Sequence, residues 1–327
     1  MKPRCSIVIR AYNEEKHIGK LMNGIAQQTI SDVQVILVDS GSTDRTVEIA
    51  RQYNAEIVKI EPEDFSFGYS LNAGVEHAKA DFIVIASAHV YPVYPDWLEK
   101  LISPFENDKV ALTYGKQRGN EISQYSEHQL FKNWYPEKTR SIQTHPFCNN
   151  ANSSIRKELW KEHPFNEILP ALEDLDWAKW ANENGYKISY VAEAEIIHVH
   201  EQSWSGVYNR YKREGMAFKQ IYPQEKFDII DLIRLFVANT LSDFRSAIKE
   251  NMFAKSLLNI IKFRWMQFYG TYNGYSQSGP LTWQLREAFY YPRSHQLMEE
   301  SKDRGIKPID YQESHPGIET GFKYKGK

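Results

Sequence analysis

The sequence predicts an α/β protein: a mostly parallel sheet flanked by helices, followed by a helical C-terminal extension. Three observations carry this expectation. Short apolar runs at residues 6–10, 33–38, 55–60, 82–86 and 110–114 read as buried strands. Between them the apolar positions switch to helical spacing, and strands separated by helices of this length imply βαβ units. Beyond Pro223 the strand pattern stops, and amphipathic helices run from 229 to about 268.

Taken in order, the strand at 6–10 is followed by Ile18, Leu21, Met22 and Ile25, spaced i, i+3, i+4, i+7 on one helix face. The second strand ends at Asp39. Gly41, Ser42, Thr43 and Asp44 then supply a turn and a helix N-cap, and the helix runs to Tyr53. A helix over 69–79 leads into the strand at 82–86, which stops on Ser87-Ala88-His89 before a proline-containing turn. Trp97, Leu98, Leu101, Ile102 and Phe105 mark a further helix before the strand at 110–114. Residues 119–145 are polar and irregular, which predicts a long loop of the kind that serves as a lid or binding segment. Regularity resumes at Phe147 and closes with the strand end Ile196-Ile197-His198-Val199-His200 and a helix over 207–222. The expected organisation is a first domain over 1–223, its halves meeting near 115, a helical region over 224–300, and a polar, frayed tail over 301–327.

A net charge of −2 implies no polyanion-binding body and no nucleic-acid partner. Aromatic residues make up 13% of the chain, which fits packing and, alternatively, platforms for sugar rings. Trp177 and Trp180 are expected in the core. Cys5 and Cys148 make no disulfide framework and fit a reducing compartment. Charges come too early at the N-terminus for a signal peptide, and no apolar run reaches the roughly 20 residues that span a bilayer. The expected location is therefore cytoplasmic, at the inner face of a membrane. Residues 251–286 hold no acidic residue but include Lys255, Lys262, Arg264 and Arg286. The stretch 253–272, with Leu257, Ile260, Ile261, Trp265 and Phe268, reads either as a helix lying in an anionic lipid surface or as a packing helix.

Polar residues at strand ends sit where α/β sheets bind ligands. Asp39 is either a ligand to a base or ribose or a cap for the next helix. Glu173-Asp174 precedes a helix-like segment and is either a helix cap or the source of a general base. His198 and His200 alternate along a strand end, so both rings point to one face. Together with His89 they are candidate ligands for Mn²⁺ or Mg²⁺, or direct contacts to a diphosphate. No G-x-G-x-x-G and no phosphate-binding P-loop are present, which argues against a dinucleotide oxidoreductase.

The stretches CSIVIRAYNE (5–14), VQVILVDSGSTDRT (33–46), LNAGVEHAKAD (71–81), NANSSIRKELW (150–160), PFNE (164–167), EDLDWA (173–178) and HVH (198–200) form a set. The set resembles the family-2 nucleotide-sugar glycosyltransferases of the GT-A fold, in a bacterial rhamnosyltransferase-like branch. The resemblance covers 5–222. It implies inverting transfer of a sugar from a nucleoside diphosphate donor to a hydroxyl of a growing surface glycan or lipid-linked glycan. It places Ala11, Tyr12, Glu14 and Asp39 on the nucleotide, Asn72 and Gly74 on the nucleotide or diphosphate side, and Asp174 as the base beside Glu173. A strand-end Asp-x-Asp metal motif is usual in the family; here Ser87, Ala88 and His89 stand in its place, which leaves metal dependence open. Two other readings remain: a catalytically silent nucleotide-sugar-binding protein, and a sugar-1-phosphate nucleotidyltransferase.

Overall fold

The computed structural model describes residues 2–201, 203–276 and 306–311. In chain order the elements are β1 (Cys5–Ala11), α1 (Ile18–Ala26), β2 (Val33–Asp39), α2 (Thr46–Gln52), β3 (Glu56–Lys59), α3 (Phe67–His77), β4 (Phe82–Ser87), β5 (Val90–Pro92), α4 (Trp97–Ile102) and β6 (Val110–Arg118). There follow α5 (Tyr125–Trp134), β7 (Arg140–Gln143), β8 (Asn152–Arg156), α6 (Lys157–Glu162), α7 (Glu173–Glu183), β9 (Lys187–His198), α8 (Trp204–Ile221), α9 (Ile229–Lys249) and α10 (Phe253–Ser276).

The sheet runs β3-β2-β1-β4-β8-β6-β9-β5, with β7 also on β9. The first half is parallel as expected: β1 lies between β2 and β4, and β3 extends the ladder. The second half is not. β8 lies between β4 and β6 and is antiparallel to both; β9 is parallel to β6, and β5 and β7 are antiparallel to β9. The sheet is thus mixed, with the change of direction at the β4–β8 seam.

Period-two alternation divides the strand residues between two faces, and both are covered. Val8, Ile36, Val38, Ile83 and Ile85 pack on one side, and Ile7, Ile9, Leu37, Val84 and Ala86 on the other. That is why these strands read as continuous apolar runs. Each such side chain contributes about 1.5–3 kcal/mol by burial. The helix α3 approaches closely: a Cβ at Gly74 would lie 2.4 Å from a Val8 methyl and 2.8 Å from one of Val38. Gly74 is a packing position, which explains its presence without any ligand. Cys5 and Cys148 are both buried free thiols.

The expectation of one irregular loop over 119–145 is corrected. The segment contains α5 and β7. Its helical period is hidden because α5 buries Ser126, Glu127 and Gln129 together with Leu130 and Phe131. A polar residue facing inward breaks the apolar pattern on which sequence reading depends.

After Pro223, an Asp228–Asp231 capping box opens α9. The helix α10 then crosses back over α8 at glycines. A Cβ at Gly274 would lie 2.2 Å from the Lys212 carbonyl oxygen, and one at Gly215 would lie 2.8 Å from that of Thr271. Arg264 of α10 is 1% exposed and donates two hydrogen bonds to Asp243 of α9, at 2.8 and 2.9 Å. This corrects the lipid-facing role expected of Arg264. Ile260 and Phe268 are buried as well, so much of 253–272 is a packing surface. Of the region expected as a frayed tail, 306–311 is seated instead: Ile309 N–H donates to the Val93 carbonyl, and the Tyr311 hydroxyl to that of Pro92. Arg286 lies outside the described residues, as do 277–300 and the remainder of the tail.

Candidate active site

Strand register assembles the site as a row along one edge of the sheet, at the carboxyl ends of β1, β2 and β4 and the amino end of antiparallel β8. Asp39 is opposite Ala11, Arg10 is opposite Ser87, and Ala86 is opposite Asn152. The loops after β1 and β2 are joined by their own polar groups. Asn13, in the left-handed region at φ 54°, accepts from Thr43 N–H at 2.8 Å. Glu14 N–H donates to the Thr46 hydroxyl at 2.7 Å, and Glu15 N–H to Asp44 at 3.0 Å. Between these loops and the end of β9 opens a cleft of about 470 Å³ lined by Asn13–His17, Asp44, His89 and Val199–Glu201. Tyr12 stands beside it, 58% exposed. Asp39 is buried, and its Oδ1 accepts from Ser42 N–H at 3.1 Å. Its other carboxylate oxygen has no partner among the described residues. The turn-capping and ligand readings of Asp39 are therefore compatible.

The three histidines converge. Ring centroids are 5.2 Å apart for His89 and His198, 4.0 Å for His198 and His200, and 6.0 Å for His89 and His200. One nitrogen from each ring lies within 4.8 Å of the others. Every Nδ1 is held by an oxygen: His89 by Glu14 at 2.8 Å, His198 by Gln117 at 2.8 Å and His200 by Glu127 at 2.6 Å. The Gln117 amide is oriented by its other contact, Nε2–H to Asn149 Oδ1. Burial opposes ionisation of Glu127, but His200 and Arg210 outweigh it and hold the carboxyl down at about 2. His200 Nδ1 faces both the Glu127 carboxylate, which can only accept, and Arg210 Nη1 at 3.0 Å, which can only donate, so the two contacts call for opposite tautomers. Burial, with neighbouring positive charge, lowers His198 well below the ordinary range and lowers His200 too, so both rings are neutral near pH 7. Gln117, Glu127 and Arg210 had no signal in the sequence, because each acts from an element distant in the chain.

On the other side of Ser87 lies the carboxylate pair. Asp174 occupies the first turn of α7, where its Oδ2 accepts from Asn150 N–H at 3.0 Å and its Oδ1 from Leu175 N–H at 2.8 Å. Burial pushes this carboxyl up to about 7, and the adjacent Glu173 adds to the shift, against the two N–H donors and Arg10. A position in the first turn of a helix favours the ionised carboxylate, but desolvation outweighs that here. Glu173 is committed elsewhere: it pairs with Arg10 at 3.0 Å, 5% exposed, and accepts from Asn150 Nδ2 at 3.3 Å. Arg10 also lies over the Phe67 ring, 4.8 Å from its centroid. Arg10 and Asn150 escaped attention because neither residue type stands out within its motif. Asp176 is also raised by burial.

Asn72 corrects another expectation. Its Nδ2 donates to Phe165 O and Glu167, and its Oδ1 accepts from Trp160 Nε1–H and Phe165 N–H. All four hydrogen-bonding positions of the amide are taken. Asn72 fastens the 160–167 segment to α3 and has nothing left for a nucleotide. Trp177 is fully buried, and Trp180 stacks on His163 at 4.6 Å, so neither presents a free sugar platform.

The mixed sheet flanked by helices, with an open cleft at its strand ends, has the architecture of the GT-A fold. Solved structures agree on the fold. The mannosyltransferase PcManGT of Pyrobaculum calidifontis, in complex with GDP-Man and Mn²⁺, matches with a TM-score of 0.59 at 16% identity, over 85% of this chain and 87% of that one. In sequence, residues 6–163 match the model of glycosyl transferase family 2. It is 27% identical to the O-antigen chain rhamnosyltransferase WbaN of Salmonella anatum, over 65% of this chain and 72% of that protein. It is 29% identical to the glycosyltransferase AglE of Haloferax volcanii, over 60% of this chain and 67% of that one.

Proposed function

We propose that this glycosyltransferase moves a hexose or deoxyhexose from a nucleoside diphosphate sugar to a hydroxyl of a growing surface glycan, with inversion. The observation that carries the reading is Asp174, a buried carboxyl poised near neutrality in the first turn of α7. A base with that affinity suits proton removal at physiological pH. In the reaction Asp174 takes the proton of the acceptor hydroxyl as its oxygen attacks the anomeric carbon. The bond from that carbon to the diphosphate oxygen breaks, and the electron pair leaves with the diphosphate. Arg10 holds Glu173 beside Asp174. Asp39, Ala11, Tyr12 and Glu14 line the nucleotide side, and Ser87, Ala88 and His89 lie between the two. His89, His198 and His200 would hold a divalent cation, which would supply charge neutralisation for the departing diphosphate.

The donor class is supported by the rhamnosyltransferase named among the relatives and by the GDP-Man in the mannosyltransferase complex. The test is to incubate the purified protein with a panel of nucleotide sugars and a lipid-linked glycan, and to follow nucleoside diphosphate release and the anomeric configuration of the product. Release of nucleoside diphosphate with a β-linked product from an α-linked donor is expected. Binding without turnover of any donor would instead favour a silent nucleotide-sugar-binding protein, the reading prompted by the missing strand-end carboxylates. Pyrophosphate release from a nucleoside triphosphate and a sugar 1-phosphate would identify a nucleotidyltransferase.

We further infer that the enzyme works at the inner, cytoplasmic face of a membrane, where a lipid-linked acceptor would be met. No helix among the described residues is long and apolar enough to cross a bilayer. Contact would instead be peripheral. Ile230, Ile233, Val237 and Leu241 form an exposed stripe on α9. Leu258, Ile261, Trp265 and Tyr269 form another on α10, and Phe236 meets Trp265 edge-on at 5.5 Å between them. Arg234, Arg245, Lys249, Lys255 and Lys262 are exposed on the same two helices. Apolar stripes with basic flanks suit an anionic lipid surface.

A further inference from the structure

The three imidazoles pose a chemical question that the transferase reading leaves open. Each ring sets its Nδ1 against an oxygen, so each Nε2 faces away from that contact. The Nε2 of His198 is buried and has no hydrogen-bond partner. His198 itself is 6% exposed. An orphaned acceptor at that depth is costly unless something meets it. A cation can meet it. The neighbouring cleft has the same requirement: Glu14, Glu15, Asp44 and Glu201 line it, and Lys16, its one lysine, pairs with Glu201 at 3.2 Å. A diphosphate entering such a cleft needs added positive charge.

We propose that His89, His198 and His200 present three Nε2 atoms as one site for an imidazole-seeking transition metal (Zn²⁺, Co²⁺ or Mn²⁺) that discriminates against Mg²⁺, with Glu14, Gln117 and Glu127 as its positioning residues. The donor set fits. Mg²⁺ demands oxygen ligands, and none of the three ligating groups is a carboxylate. Imidazole nitrogen suits the borderline transition ions. Metal-bound histidines characteristically give the other ring N–H to a carboxylate or carbonyl, which fixes the tautomer. Here each Nδ1 meets such an oxygen, on three separate segments, the loop after β1, β6 and α5, and Arg210 Nη1 also lies 3.0 Å from that of His200. The proposal rests on the glycosyltransferase reading only for the role of the metal; the site itself stands on the rings and their partners.

The test measures metal binding by the full-length protein without donor or acceptor. Protein stripped with chelator is titrated calorimetrically with Zn²⁺, Mn²⁺ and Mg²⁺, and with Co²⁺ while visible absorption is recorded. The expected result is one Zn²⁺ or Co²⁺ per chain, ligand-field bands of nitrogen-coordinated Co²⁺, and affinity for Zn²⁺ at least about 100-fold above that for Mg²⁺. His198→Ala should abolish the bands. His89→Ala, at a half-buried position that folding tolerates more readily, should weaken binding even if the His198 variant fails to fold. Gln117→Ala should weaken it by about 10–100-fold while the circular dichroism spectrum is unchanged. No stoichiometric binding, equal affinity for Mg²⁺, or bands indifferent to His89 would overturn the proposal. A protein that binds metal in this way yet transfers no sugar would leave the centre standing and remove the transferase reading; an active enzyme without the centre would do the reverse.

Discussion

Glu14 reaches from the loop after β1 to His89 at the end of β4 and accepts the ring hydrogen at 2.8 Å. The two residues are brought together because β1 and β4 are parallel neighbours whose carboxyl ends coincide. Each was expected at the donor site separately; the contact makes them one unit. Glu14→Ala should free the ring and raise the donor KM by about 10–100-fold with a smaller effect on kcat. Glu14→Gln, whose amide oxygen still accepts, should recover most of the loss. Steady-state kinetics with varied donor decide the matter, and an unchanged KM in the Ala variant would remove Glu14 from the site.

Asp174 should give the enzyme its acidic limb. A base works ionised, and this carboxyl is raised from its ordinary value to about 7. Turnover should therefore rise with pH through about 7 and level off above it. An ordinary Asp would instead give a flat profile from about pH 5 upward. Asp174→Asn should lower turnover by about 10²-fold or more and leave nucleotide affinity near normal. Wild-type turnover in the Asn variant would move the role to Asp176, since Glu173 is already paired with Arg10.

Asp39 should read the nucleotide with the oxygen that Ser42 leaves unused. Asp39→Ala is expected to weaken nucleoside diphosphate binding by about 1–3 kcal/mol. Asp39→Asn keeps an acceptor for the Ser42 turn and should separate loss of the ligand contact from loss of the turn. Calorimetry with free nucleoside diphosphate is the measurement, and equal affinities for all three proteins would assign Asp39 to the turn alone.

The paired helices α9 and α10 should hold the protein on anionic vesicles at low salt. Each basic residue near such a surface adds about 1 kcal/mol, screened as salt rises. Lys255→Glu with Arg245→Glu should reduce co-sedimentation, and Ile233→Ser with Trp265→Ser should reduce it at every salt concentration. A protein that ignores vesicles at low salt would make these helices packing elements only.

Arg264 is the wrong residue for that experiment, because Asp243 is its buried partner. Asp243→Asn should cost about 3–5 kcal/mol in a urea melt by leaving a guanidinium buried without its counter-charge. A smaller loss would mean that water reaches the pair.

The parallel half of the sheet was legible because each strand buries both faces and so spells an unbroken apolar run. The placement of Asp39, His89 and His198 at or just beyond strand ends was legible because position along a strand fixes direction. What escaped reading was contact at a distance. Nothing local tells that Asn72 is consumed by Trp160 and Phe165, or that Glu127 turns inward from α5 to meet His200. The antiparallel entry of β8 was hidden for a similar reason, since its residues carry the same burial whichever way the strand runs. The raised carboxyl of Asp174 was not legible either, because a helix terminus is visible in sequence and the depth of its burial is not.

The seating of Ile309 and Tyr311 on the chain beside β5 bears on self-association. β5 is the last strand in the sheet order, three residues long, and a terminal strand offers unpaired peptide groups to any passing chain. Ile309 caps one of those groups at Val93 and Tyr311 another at Pro92. Removing the 306–311 segment would uncover the carbonyls of Pro92 and Val93. The resulting protein should keep its fold yet become sticky, forming concentration-dependent oligomers that grow by strand addition from that margin. A segment far along the chain thereby acts as a solubility guard for the sheet that carries the chemistry.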